Sequence, residues 1–304
     1  MEALSIETHS NVAVVQAASV LFDPGATIVK AADFARDAAS RGAKIVLFPE
    51  AFIGGYPKGM DFGARVGTRT DEGREQFRCY YDGAIDVPGP HCSQLGSIAK
   101  SNGIYLVIGV IERDGGTLYC TVLFFTPDGA LLAKHRKLMP TVAEKLIWGF
   151  GDGSTLPVLD TPHGKLGAVI CWENYMPLLR TAMYAKGIQL YCAPTVDDRE
   201  RWTATMRHIA LEGRCFVLAA CQYNELIAGG SAIIDPAGNI LAGPARGSET
   251  ILTAKLDLAD IKRTKWEFDV TGHYSRPDIF SLLVNENPMP SVQFLSDDLS
   301  EPRP

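Results

Sequence analysis

The chain alternates short runs of continuous apolar residues with longer segments whose apolar residues recur at helical spacing. A continuous apolar run bounded by turn residues is typical of a buried strand, whereas apolar residues three and four positions apart predict an amphipathic helix. The runs predict strands at 12–18, 44–48, 104–111, 117–126, 130–135, 166–171, 188–193, 215–222, 231–234, 240–241 and 250–256. The helical spacing predicts helices at 27–41, 91–102, 176–186 and 199–213.

This order of elements predicts an α/β fold. Strands that are apolar on both faces belong to sheets covered on both sides. The strands are numerous for one open sheet, and Pro127-Asp128-Gly129 adds a hairpin turn among the crossovers. We therefore expect two packed sheets with helices outside. Without a repeat or a linker, residues 1–290 are predicted to form one domain, followed by a polar tail at 291–304.

Composition narrows the class of protein. The 304 residues are 46% hydrophobic and carry a net charge of −6 without a basic stripe, so nucleic acid is not an expected partner. The first residues lack the pattern of a signal peptide, and no apolar run is long enough to span a membrane. Seven scattered cysteines without a CxxC pair predict reduced thiols in the cytoplasm. The six histidines show no metal-ligand spacing, so no metal is expected.

The segment Gly164 to Arg180, GKLGAVICWENYMPLLR, carries the first candidate for chemistry. Its apolar run ends on Cys171, and Pro177 follows where the first turn of a helix would begin. A thiol near a helix N-terminus is expected to have a lowered pKa, which would favour a nucleophilic thiolate. The alternative is that Cys171 is one more buried core cysteine.

Three charged residues at the ends of other elements could complete a site. Glu50 ends the run KIVLFPE, Lys137 follows the return strand of the predicted hairpin, and Glu144 precedes a glycine-rich loop. Each could instead be a solvated surface residue. If Cys171, Glu50 and Lys137 converge on one sheet edge, they supply a nucleophile, a proton carrier and a fixed positive charge.

A cysteine–histidine pair is a weaker alternative for the same thiol. It would require His135 or His208 to meet Cys171 in space, because no histidine lies near these segments at suggestive spacing.

These segments resemble those of the nitrilases, in the carbon–nitrogen hydrolase superfamily, from about Asn11 to Asn287. In chain order the similar segments are FPEAFIGGYPKG, KHRKLMPT, IWGFGDGSTLPV, GAVICWENYMPLLR, YCAPT, HIALEGRCFVLAACQ, GGSAIIDP and GHYSRPD. The dipeptide that follows Cys171, Trp172-Glu173, is similar to true nitrilases rather than to the amidase branch. The resemblance is greatest to plant-type and bacterial arylacetonitrile- or cyanoalanine-type nitrilases.

The resemblance implies a four-layer α-β-β-α sandwich and a function, the hydrolysis of a nitrile to its acid and ammonia without a cofactor. It implies that Cys171 is the nucleophile, Glu50 the proton carrier, Lys137 the charge stabiliser and Glu144 an additional catalytic residue. An aliphatic amidase or carbamoyl hydrolase could use the same residues. A catalytically silent binding protein is a further alternative, against which the four intact residues argue. The preferred nitrile and the proportion of amide by-product stay open.

Three further residues are candidate walls of a substrate pocket. Tyr56, Trp172 and Pro194 lie in or beside the segments that bear the candidate catalytic residues. Aromatic and apolar side chains in such positions are typical of a small-molecule pocket, although packing in the core is an equal alternative.

The resemblance also implies assembly through the outer helices, including residues 176–186. Members of the family usually have a longer segment where this chain has only Tyr223 to Ala228. In the family that segment extends dimers into spirals. We therefore expect a homodimer, with extension into a larger homo-oligomer less favoured.

Overall fold

The computed structural model describes residues 7–290 and 292, so most of the polar tail predicted for 291–304 lies outside the described residues. The strands are β1 His9–Gln16, β2 Ile45–Leu47, β3 Ile85–Asp86, β4 Tyr105–Asp114, β5 Thr117–Phe125, β6 Leu131–Arg136, β7 Val158–Thr161, β8 Gly164–Ala168, β9 Leu190–Thr195, β10 Phe216–Cys221, β11 Tyr223–Asn224, β12 Ile227–Ile234, β13 Ile240–Arg246 and β14 Thr250–Asp257. The α-helices are α1 Pro24–Ser40, α2 Asp71–Asp82, α3 Pro90–Asn102, α4 Pro177–Ala185, α5 Glu200–Gly213 and α6 Ala259–Lys265.

The strands form two seven-stranded sheets. The first has the order β14-β1-β2-β4-β5-β6, with β3 paired to β4, and the second has the order β11-β12-β10-β9-β8-β7, with β13 paired to β12. The parallel pairs β1–β2, β2–β4, β8–β9 and β9–β10 lie at the centres of the sheets. The hairpins form antiparallel pairs around them.

Alternation along the strands produces three apolar layers. In β1, Val12 and Val14 point into the core between the sheets, whereas Ala13 and Val15 point to the opposite face. Helices α1 and α3 cover the outer face of the first sheet, and α4 and α5 cover that of the second. The molecule is therefore an α-β-β-α sandwich, as the resemblance implies.

The main differences from the predicted elements occur where the apolar pattern is weak. Helix α2 was not predicted, because among its residues only Gly73 and Tyr80 are buried. The strand predicted at 166–171 ends earlier, at Ala168. No helix of the described part of the chain is both long and apolar enough to cross a membrane.

A glycine allows the chain after β2 to cross β4 at close range. A Cβ atom at Gly109 in β4 would lie 2.3 Å from the carbonyl oxygen of Pro49 and 2.8 Å from the Cα atom of Glu50. Both are backbone atoms, which cannot rotate away as a side chain could. The Glu50 segment therefore reaches its position only because residue 109 has no side chain.

We predict that Gly109→Ala displaces Glu50 and lowers the free energy of unfolding by about 1–3 kcal/mol. Gly116→Ala is the matched control, because a Cβ atom at Gly116 would meet nothing within 4 Å, and it should change stability by less than about 0.5 kcal/mol. Urea denaturation measures both variants. Equal stability of the two would contradict the proposed backbone contact.

Candidate active site

The candidate catalytic residues lie just beyond the ends of three strands. Glu50 follows β2 and Lys137 follows β6, and both strands belong to the first sheet. Cys171 follows β8, which belongs to the second sheet. The expectation that the three residues converge on one sheet edge is therefore wrong, since the structure brings them together from two facing sheets.

A buried ammonium group lies between two carboxylates at this point. Lys137 Nζ donates to Glu50 Oε1 at 2.7 Å and to Glu144 Oε2 at 2.8 Å. Burial lowers the pKa of Lys137, but the negative charges of Glu50 and Glu144 outweigh burial and raise that pKa well above its ordinary value. Lys137 therefore stays protonated and supplies a fixed positive charge.

Glu50 has the environment of a proton carrier. Burial raises its pKa; Lys137 opposes that shift and Glu144 adds to it, and the net direction is upward. Its Oε1 accepts from Lys137 and from the thiol of Cys120 at 3.6 Å, while Oε2 has no hydrogen-bond partner among residues 7–290. A raised pKa and an unengaged oxygen allow Glu50 to hold a proton transiently.

Cys171 lies in a strained turn between β8 and α4. It is the first residue of the 3₁₀ helix Cys171–Tyr175 and has φ = 49°, a left-handed conformation that is rare for residues other than glycine. Asn174 Nδ2 donates to the carbonyl groups of Val169 at 2.9 Å and Cys171 at 2.8 Å, which holds the turn in place. The buried thiol is thereby presented at a fixed position.

The expectation that a helix N-terminus lowers the pKa of Cys171 is wrong. Helix α4 begins only at Pro177, six residues beyond the thiol. Burial and the charge of Glu50 raise the pKa of Cys171 well above its ordinary value, and Lys137 only partly offsets them. The thiol is consequently protonated at rest and needs a base to become a nucleophile.

Glu144 is fixed by three donors. It lies in the 3₁₀ helix Val142–Leu146, where the backbone N–H of Thr141 donates to its Oε2 at 2.6 Å. Lys137 donates to the same oxygen, and the hydroxyl of Tyr56 donates to Oε1 at 2.8 Å. Tyr56 thus contacts the charged cluster and also lines the cavity beside it.

A cavity of about 550 Å³ opens over these groups. Tyr56 and Trp172 line it, together with Cys171 and Glu144. Pro194 lies inside β9 instead, and the segment 196–199 that follows this strand provides the wall. The volume is in the usual range for small-molecule sites. A small organic substrate can therefore reach the thiol.

A second buried ion pair links the segments that carry the candidate catalytic residues. His135 Nε2 lies 3.0 Å from Glu173 Oε2, and its Nδ1 lies 2.5 Å from the carbonyl oxygen of Thr155. Glu173 also accepts the backbone N–H groups of Ile170 at 2.8 Å and Leu138 at 2.5 Å. The pair therefore joins the end of β6 to the turn after β8.

The two backbone N–H groups that donate to Glu173 belong to residues adjacent to Cys171 and Lys137 in the chain. Ile170 immediately precedes Cys171, and Leu138 immediately follows Lys137. One carboxylate therefore fixes the chain on both sides of the site and sets the spacing between thiol and ammonium.

The cysteine–histidine alternative is not supported by this arrangement. His135 is engaged with Glu173, and His208 is exposed on α5, where it lies 3.7 Å from Glu212. Neither histidine is the partner of Cys171, whose sulfur instead receives a hydrogen bond from Thr195 at 3.1 Å.

Sequence reasoning missed Thr195 and Gln222, and it did not foresee that His135 and Glu173 organise the site as a pair. All four residues are buried. Gln222 Nε2 donates to the carbonyl oxygen of Glu50 at 2.8 Å and so links the second sheet to the Glu50 segment. Thr195 and Gln222 each end or follow an apolar strand, as Glu50 does, so the same signal could have found them. In the described part of the chain no group of three or more His, Cys, Asp or Glu residues is placed to hold a metal ion.

The chain is similar to known proteins over nearly its whole length. Residues 11–265 match the model of the carbon–nitrogen hydrolase family. An aliphatic nitrilase of Sinorhizobium fredii (strain HH103) is 60% identical, over 94% of this chain and 98% of that protein. A bifunctional nitrilase/nitrile hydratase of Lupinus angustifolius is 55% identical, over 93% of this chain and 88% of that protein.

A solved structure shares the architecture. A Saccharomyces cerevisiae protein, described as a member of branch 10 of the nitrilase superfamily, superimposes with a TM-score of 0.72 at 25% sequence identity. The match covers 88% of this chain and 97% of that one. The two-sheet sandwich is therefore shared well beyond the range of high sequence identity.

We predict that the His135–Glu173 pair stabilises the protein most at low pH. Burial lowers the pKa of His135, but the charge and hydrogen bond of Glu173 outweigh it and raise that pKa above its ordinary value. The stabilisation is then fully present below about pH 6.5, the ordinary pKa of histidine, and is lost as the pH rises through the raised pKa. His135→Gln should cost about 3 kcal/mol at pH 6 and less towards pH 9.

Urea denaturation between pH 6 and pH 9 measures this difference. His208→Gln is the control, because it removes a surface histidine and should have little effect. A cost for His135→Gln that stays constant across the pH range would mean that His135 stabilises the fold by packing alone.

Proposed function

The chain belongs to the carbon–nitrogen hydrolase family, and we propose that it is a nitrilase whose site hydrolyses an organic nitrile to the carboxylic acid and ammonia. The observation that carries the proposal is a buried thiol that lines a cavity and lies close enough to Glu50 and Lys137 for their charges to shift its pKa. The similarity to nitrilases over nearly the whole chain favours nitriles over the amide and carbamoyl substrates of the alternative.

In the first step Cys171 attacks the nitrile carbon. Because its thiol is protonated at rest, Glu50 accepts the proton as the sulfur–carbon bond forms and passes it to the nitrile nitrogen. Lys137, with a backbone N–H near Trp172, stabilises the negative charge that develops on that nitrogen. The product of this step is a thioimidate.

Two waters complete the reaction. Glu50 takes a proton from the first water, which adds to the thioimidate carbon, and passes that proton to the nitrogen. The proton of the added hydroxyl then moves through Glu50 to the same nitrogen as the carbon–nitrogen bond breaks, so that ammonia leaves and a thioester remains. A second water, activated in the same way, releases the acid and restores the thiol. The reaction R–C≡N + 2 H₂O → R–COOH + NH₃ needs no cofactor.

The remaining residues of the cavity orient these partners. Glu144 accepts from Lys137 and Tyr56 at once, so it fixes the direction of the ammonium group and one wall of the cavity. Two carboxylates beside one ammonium keep the lysine charged and leave Glu50 able to exchange a proton. Trp172, held by a 2.9 Å hydrogen bond to Asp197, forms the opposite wall.

The same proposal places the enzyme in a reducing cytoplasm. All seven cysteines are unpaired, and six of them are buried. Unpaired thiols persist where glutathione and thioredoxin keep them reduced. We further infer that residues 1–290 act as one domain, because both sheets contribute to a single site.

We predict that the enzyme releases ammonia from a nitrile much faster than from the matching amide. Cys171→Ala should lower that rate by at least about a thousandfold, because no other group can form the thioimidate. Cys215→Ala removes an equally buried thiol far from the cavity and should retain activity. Ammonia assays with aliphatic, arylacetonitrile and cyanoalanine substrates measure these rates.

Mass spectrometry with a slowly hydrolysed nitrile provides a second measurement. The covalent adduct should map to the peptide that contains Cys171. An adduct on another cysteine would disprove the proposed nucleophile, and faster hydrolysis of amides than of nitriles would support the amidase alternative.

We also propose that the enzyme is a homodimer that pairs through α4 and its flanking residues. Leu179 and Met183 of this helix pack on the second sheet, whereas Leu178 is 68% exposed and Tyr175 is 38% exposed. Such a helix has apolar residues on two faces, one of which a second copy would cover. The connection from Tyr223 to Ala228 forms only a tight hairpin between β11 and β12, so it offers little surface for further extension.

We predict that Leu178→Glu converts the dimer to a monomer. A glutamate in the first turn suits the helix dipole, so the helix itself should remain intact. Leu226→Glu changes a leucine of similar exposure, 62%, in the β11–β12 hairpin and should leave the dimer unchanged. Light scattering at micromolar concentration measures the mass. A wild-type monomer would contradict the dimer, and long filaments would show that extension does not need a longer connection.

A further inference from the structure

Thr195, the last residue of β9, lies beside the sulfur of the proposed nucleophile. Its Oγ1 is 3.1 Å from Cys171 Sγ, and both side chains are buried. Strand β9 pairs in parallel with β8, so the end of β9 lies next to the turn that carries Cys171. The two side chains therefore meet at one end of the same pair of strands.

The second hydrogen bond of Thr195 fixes the direction of the first. Oγ1 accepts the backbone N–H of Asp197 at 2.9 Å. A hydroxyl has one proton and two acceptor lone pairs, so the oxygen that accepts from Asp197 still has its proton available. The geometry allows Thr195 to donate that proton to the sulfur.

Asp197, whose backbone N–H donates to Thr195, is itself held in place by its side chain. The carboxylate of Asp197 accepts from Trp172 Nε1 at 2.9 Å and from Arg199 Nε at 2.6 Å. The Asp197 backbone is therefore fixed by groups that also line the cavity. The hydroxyl of Thr195 is oriented before any substrate binds, which is the condition for stabilising a developing charge.

We propose that Thr195 is a further catalytic residue, whose hydroxyl stabilises the Cys171 thiolate as it forms and as it leaves. The proposal rests on the nitrilase function above. Thr195 would be the hydrogen-bond donor to the sulfur, while Lys137 serves the nitrogen and oxygen of the substrate. The site then has separate donors for its two centres of negative charge.

Glu50 carries the proton in these steps, and Thr195 transfers none. During attack the thiol proton moves to Glu50, and a sulfur lone pair forms the sulfur–carbon bond. During the last hydrolysis that bond breaks, its electron pair returns to sulfur, and Glu50 returns a proton. Thr195 keeps its own proton throughout. A hydrogen bond to charged sulfur is stronger than one to the neutral sulfur of a thioimidate or thioester, so it favours both transition states.

The expected size of the effect follows from this bond. One hydrogen bond to a charged group changes an equilibrium by about ten- to a hundredfold, which corresponds to about one to two units in the thiol pKa. A more acidic thiol is also a weaker nucleophile, so each tenfold gain in thiolate raises the rate only about threefold. Loss of the hydroxyl should therefore slow alkylation about three- to tenfold below the pKa.

The test is the pH dependence of Cys171 alkylation by iodoacetamide in Thr195→Val and the wild-type enzyme. Below the thiol pKa the valine variant should react about three- to tenfold more slowly than the wild type, and Thr195→Ser, which keeps the hydroxyl, should retain the wild-type rates. Thr121→Val is the matched control, because it removes an equally buried hydroxyl that donates to Glu112 instead. Alkylation uses no nitrile, so it reports on Thr195 even if the nitrilase proposal fails.

Each outcome decides the proposal. Slower alkylation in the valine variant, with wild-type rates in the serine and Thr121 variants, supports it. An unchanged rate in Thr195→Val overturns it, as does an equal loss of rate in Thr121→Val. Should the valine variant be too unstable to purify, Thr195→Ala also lacks the hydroxyl and gives the same readout.

Discussion

The ion pairs of Lys137 with Glu50 and Glu144 are the interaction on which the arrangement of the site depends. A buried ammonium is tolerated only when opposite charges compensate for the water that it has lost. The lysine follows β6, Glu50 follows β2 and Glu144 lies in a separate short helix. Satisfying one charge therefore fixes the relative positions of three chain segments. The same contacts keep the lysine charged and, within the described part of the chain, leave Glu50 Oε2 without a hydrogen-bond donor of good geometry.

The second sheet has to meet this charged cluster with a thiol at the correct distance. The turn at Cys171 has a left-handed backbone, and Glu173 anchors it to the chain beside Lys137. Gln222 adds a further link by donating to the backbone of Glu50 from the second sheet. Cys171, Glu50 and Lys137 are thus held by hydrogen bonds between the sheets, in addition to the apolar core between them.

The sandwich could be predicted from the sequence because its strands are apolar on both faces. For example, the apolar run at 104–111 predicted strand β4. Helix α2 was not predicted because it has no apolar stripe. It has instead a capping hydrogen bond to the side chain of Thr70 and ion pairs such as Arg78–Asp82. The candidate residues were found at strand ends, but the pattern contains no information on which sheet each strand joins. The thiol pKa depends on burial beside Glu50, a tertiary property that local position cannot reveal.

The division of the site between two facing sheets has a consequence for the folding chain. A nascent or partly unfolded chain in which only one sheet has formed positions either Glu50 and Lys137 or Cys171, but not all three. Hydrolytic competence therefore arises only when the sheets dock. Recovered turnover after refolding would then report completion of the whole molecule, whereas strand or helix content could return earlier. Misfolded copies would be inert as hydrolases, so activity serves as a built-in check on native assembly.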